Sequence, residues 1–117
     1  MDDYIEAVEA GYEYLLAYAA QGRDTDRTGA DAVSEVRRTL EKMAAAAEGI
    51  ARDLGKGDHA FHGVVVDDAT RSHAAISLVL AQPDIGSEIV DNLNASIHLR
   101  ALLTDLFLLS EAANPAG

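Results

Sequence analysis

Cysteine and tryptophan are both missing from this chain of 117 residues, and proline occurs only twice. Without cysteine there is no disulfide framework, no thiol nucleophile and no thiolate metal site. Stability must come from apolar burial, and a single domain of this length removes roughly two thirds of its unfolded surface from water. Scarce proline leaves long stretches free to be helical. Basic residues are also few: nine Lys and Arg stand against twenty Asp and Glu, a formal net charge of −11. Such a surface repels a phosphate backbone, which argues against general nucleic-acid binding. Long apolar runs are absent too. The longest stretch without Asp, Glu, Lys or Arg covers residues 72–83, well short of the about 20 residues a membrane helix needs. The start, Met1-Asp2-Asp3-Tyr4, lacks the positive charge of a secretory leader. A cytoplasmic protein with no membrane association is expected.

What is present is a helical pattern, with 49% hydrophobic residues placed at steps of three and four. Ile5, Val8, Tyr12, Leu15, Leu16 and Ala19 predict a first helix over about residues 3–21, closed by Gln21-Gly22. Thr28 and Asp31 resemble a capping box that opens a second helix running to Leu54. Its stripe is Val33, Val36, Leu40, Met43, Ala47, Ile50 and Leu54, with Gly55 as terminator. A third helix is expected from Asp67 or Asp68, after the Val64-Val65-Val66 run, to Pro83. Apolar residues cover both of its sides, so it should be the most buried element, with His73 as a core histidine. A fourth helix should run over residues 84–113, capped by Asp84 and stopped at Asn114-Pro115. Its stripe changes direction: Ile85, Ile89, Val90, Leu93 and Ile97 point one way, and Leu99, Leu102, Leu103, Leu106 and Leu109 point about 120° away on a helical wheel. Drift on a straight helix amounts to only about 20° per heptad, so this helix either breaks near residues 92–96 or faces two neighbours. The fold class expected is all-α, an antiparallel four-helix bundle whose last helix is kinked or split in two. It forms a single domain over residues 1–113 with a short tail at 114–117.

Polar chemistry concentrates after the second helix. His59 and His62, with Asp58, offer nitrogen and oxygen donors that could hold Zn²⁺ or a similar ion, although glycines on both sides make a poorly preorganised site. Arg52, followed by Asp53, five more residues and His59, resembles the loose motif of HEPN-domain ribonucleases, small all-helical dimers. The resemblance covers eight residues and implies metal-independent RNA cleavage by Arg52 and His59 at a dimer interface. Arg52 ends a helix here, and Gly55 and Gly57 separate it from His59, which departs from that family. His98, near Arg100, is faintly similar to a phosphotransfer histidine, but the basic residue falls two positions on instead of three. No Glu-x-x-His pair, Walker loop, GxGxxG or Gly-x-Ser-x-Gly occurs.

These observations point to a small acidic, non-enzymatic protein that acts through protein–protein interaction as an accessory, adaptor or regulatory subunit. It needs no cofactor, and its partners would be itself, as a homodimer or larger oligomer, and a basic protein. Tyr14 and Tyr18, beside Ala7 and Gly11, offer one contact edge. Leu78 and Leu108 are the expected interface residues on the third and fourth helices. The alternatives are the ribonuclease using Arg52 and His59, and a metal- or small-ligand-binding bundle using His59, His62 and Asp58.

Overall fold

A computed structural model describes residues 1–27, 34–57 and 59–113. Thr28, Asp31 and Val33, Asp58 and the Asn114-Pro115 stop with the rest of the tail lie outside the described residues. Five helices carry the fold: α1 (Asp2–Ala19), α2 (Glu35–Leu54), α3 (Ala60–Leu80), α4 (Ser87–Ala95) and α5 (His98–Ala113), with no strand among the described residues. Among the described residues the count is therefore five in place of four, the last expected helix being split between Ala95 and His98. α2 packs against α1 and α3, and the fourth position beside them is shared, α4 lying mainly along α1 and α5 mainly along α3.

Residue 97 makes that division. Ile97 adopts φ 66°, the left-handed region that costs a β-branched residue roughly 1–2 kcal/mol, and it interrupts the helix. The two stripe directions then serve two cores, with two corrections: Leu99, expected with the second set, joins the first cluster, and Ile97, expected with the first set, is exposed. Val90 and Leu93 of α4 join Leu15, Tyr18, Leu40, Met43 and Ile76 in one cluster. Leu102, Leu103 and Leu106 of α5 join Val8, Ala47, Ile50, Val65 and Ala69 in the other.

Helix starts differ from expectation in three places. The cap of α2 is Ser34, whose Oγ accepts from the Arg37 N–H at 3.3 Å. α3 begins at Ala60, seven residues before the expected Asp67, with the His59 ring accepting from the Phe61 N–H at 3.1 Å. Three consecutive valines lower helix propensity only slightly, and burying Val65 completely against α2 and α5 outweighs that. Asp84 does not cap α4, which starts after Gly86; it accepts instead from Thr25 Oγ1 at 2.7 Å and pairs with Arg27 at 3.2 Å.

One buried carboxylate ties the described chain after α1 to the start of α2 and to the α3–α4 turn. Asp26 is 4% exposed and accepts from Ser34 Oγ (2.7 Å), Arg37 Nε (2.8 Å) and the Ile85 N–H (2.8 Å). Burial alone would raise its pKa, but these hydrogen bonds to the charged form win and hold it at about 2. Arg37 also donates to the carbonyls of Leu80 (3.1 Å), Gln82 (2.7 Å) and Pro83 (3.1 Å). Three chain segments therefore meet on one ion pair: the loop before α2, the start of α2 and the α3–α4 turn.

Candidate functional site

α3 and α5 run antiparallel. Ser72 Oγ donates to the His98 carbonyl at 3.0 Å, Asp68 adjoins Asp105, and Phe61 shares a cleft with Leu109, which together set the register. Helical geometry, at 100° per residue, then places Val64, Asp68, Arg71, Ala75 and Leu78 on one flank of α3, and Ala101, Asp105 and Leu108 on the adjoining flank of α5, which Ile97 immediately precedes. Leu78 (66%), Ile97 (60%), Leu108 (56%) and Val64 (45%) are exposed, four of the seven large apolar side chains that face solvent among the described residues. α3 is thus not the most buried element, because two of its apolar residues point outward.

Asp68 and Asp105 sit in the middle of this face. The Asp68 side chain is only 16% exposed and pairs with Arg71 at 3.2 Å. Asp105 Oδ2 is buried. Burial pushes the Asp105 carboxyl up to about 7, and the hydrogen bond and negative charge of Asp68 act in the same direction. One carboxyl of the pair therefore keeps its proton up to neutral pH. Sequence reasoning missed this pair because it joins residues 37 positions apart; its one local signal is an aspartate set among Leu102, Leu103 and Leu106. No known family, curated protein or solved structure matches the chain.

Tyr14, Tyr18 and Arg52 lie apart from this face, whereas His59 and His62 line a cleft beside Leu108 at its edge. Tyr18 is 2% exposed and donates its hydroxyl to the Ile85 carbonyl at 2.6 Å. It is a core residue, which corrects its expected place on a contact edge. Tyr14 is half-buried and stacks on Tyr18 at 6.1 Å between centroids. Gly11, one turn before Tyr14 on α1, is buried against Met43 and lets α1 and α2 approach closely. Arg52 turns to the Tyr4 hydroxyl (3.3 Å) and to Asp53 (3.5 Å), while His59 is engaged as the cap of α3. Neither bond directs the two at a shared point.

The His59 and His62 rings lie 5.7 Å apart, next to a cleft of about 520 Å³ lined by Phe61, Leu108, Leu109 and Ala112. Among the described residues, no three His, Asp or Glu side chains gather as a metal site would require. His73 is not in the core: its side chain is 41% exposed and reaches Glu48 at 3.8 Å. No helix among the described residues is long and apolar enough to cross a membrane.

Proposed function

We propose that the protein works by binding protein, through the outer face of α3 and α5, and carries out no reaction of its own. The observation that supports this reading is the exposure of Val64 and Leu78 on one flank of α3 and of Leu108 on the adjoining flank of α5, with exposed Ile97 just before α5. Single exposed leucines are ordinary, whereas apolar side chains grouped on two adjacent helices around a polar centre have the layout of a contact surface. The half-buried Asp68–Asp105 pair supplies that centre. Leu16 on α1 and Phe107 on the far flank of α5 are also exposed, but each stands apart from this group.

The test is photocrosslinking in the cells that make the protein, with a photoreactive residue at position 78 or 108 and, as control, at position 16. Protein adducts from 78 and 108 but not from 16 are expected. Adducts from position 16 alone, or none at all, would overturn the reading.

A further inference from the structure

The start of α3 and the end of α5 enclose the cleft of about 520 Å³ between Phe61, Leu108, Leu109 and Ala112. Its volume falls in the range of small-molecule sites, and like them it is an apolar hollow with few polar groups. Those polar groups are the imidazoles of His59 and His62. No carboxylate lines the cleft, although the chain carries twenty Asp and Glu. A second cleft, of about 390 Å³, shares His62 and Leu109 with the first but is also lined by Asp2, so only the first is free of negative charge.

Local structure fixes what the two rings offer. His59 Nδ1 accepts from the Phe61 N–H at 3.1 Å, so the capping ring carries its proton on Nε2, which is a donor. His62 packs Nδ1 against Gly57, where a Cβ would meet the ring, and Nδ1 is buried without a hydrogen-bond partner. Both rings are thus held in place, and among the described residues neither Nε2 has a hydrogen-bond partner. His59 also stands at the N-terminus of α3, the positive end of its dipole, which favours an anion over a cation. An apolar hollow with a ring N–H at this end suits a ligand with an alkyl body and an anionic oxygen head.

We infer that this cleft binds a medium-chain monocarboxylate, with the alkyl chain along Phe61, Leu108 and Leu109 and the carboxylate accepting from His59 Nε2. Taking the roughly 30 Å³ that a water claims in the liquid as the share of each heavy atom, decanoate with its twelve needs about 360 Å³ and fits the cleft. This goes beyond the protein contact proposed above and does not depend on it.

Titrating the full chain with decanoate, followed by amide shifts in NMR spectra that also show each variant to be folded, checks it. Saturable shifts should centre on residues 59–63 and 108–112, with a Kd below about 1 mM. Hexanoate, four methylenes shorter, should bind at least tenfold more weakly, since each buried CH₂ is worth about fourfold in affinity. Decyltrimethylammonium, with the same chain and a cationic head, should also bind at least tenfold more weakly than decanoate. His59→Asn keeps a capping side chain but removes the ring donor, and should abolish the preference for the carboxylate over the cation. Ala112→Phe, at an exposed position, should block the cleft and abolish binding. Absence of saturation by decanoate at 5 mM would overturn the inference, as would shifts centred elsewhere, equal binding of the cation, or Ala112→Phe binding as well as the wild-type chain. The protein contact survives any of these failures, because crosslinking at position 78 tests it separately.

Discussion

Arg37 and Asp26 show how far a residue's role can depart from its place in a pattern. Position 37 falls on the polar side of α2, where a free surface arginine would be expected. It instead holds Asp26 and three carbonyls of the α3–α4 turn. No helical periodicity reports an acceptor that arrives from more than forty residues away. Arg37→Ala should cost roughly 3 kcal/mol, because it leaves a buried carboxylate without its cation, and urea titration measures this. Asp26 is depressed below its unfolded value, so its contribution is complete above about pH 4 and is lost as pH falls towards 2. Asp105 has the opposite sign. Its folded pKa is raised, so the native state holds a proton that the unfolded chain has released, and stability falls as pH rises from about 4 to about 7. Asp105→Asn should therefore raise the thermal midpoint at pH 8 and give little gain at pH 4, a comparison made by calorimetry.

Among the elements, the α4–α5 break was legible and the start of α3 was not, for different reasons. The break is written in the direction of the stripe: Val90 and Leu93 serve one core, and Leu102 and Leu106 serve the other. A single straight helix could not have buried both sets. The start of α3 depends on tertiary burial of Val65, to which local propensity is blind. The face formed by α3 and α5 was half legible: Leu78 and Leu108 were readable as surplus apolar residues, whereas the facing of Asp68 and Asp105 required the register between two helices. Ile97 links break and face, being strained in its backbone and 60% exposed in its side chain. Glycine tolerates φ 66° without that strain, so Ile97→Gly should stabilise the isolated chain by about 1 kcal/mol. Thermal melts of the two chains check this.

At the scale of the whole molecule, charge and apolar surface are divided between its sides. Acidic side chains crowd α1, while exposed apolar residues gather on α3 and α5. The Asp26 ion pair spans this division, since it joins the chain leaving α1 to the turn that closes α3. That has a consequence for how the protein opens. The Ile85 N–H lies in an irregular segment, where backbone amides ordinarily exchange with solvent deuterium through small local fluctuations. Here it donates to a buried carboxylate held by the start of α2, so releasing it requires the loop segment of Asp26, the start of α2 and the α3–α4 turn to separate together. Its exchange should be as slow as that of amides in the middle of α2. In Arg37→Ala it should accelerate by orders of magnitude more than theirs, which would mark the turn as the place where the native state first comes apart.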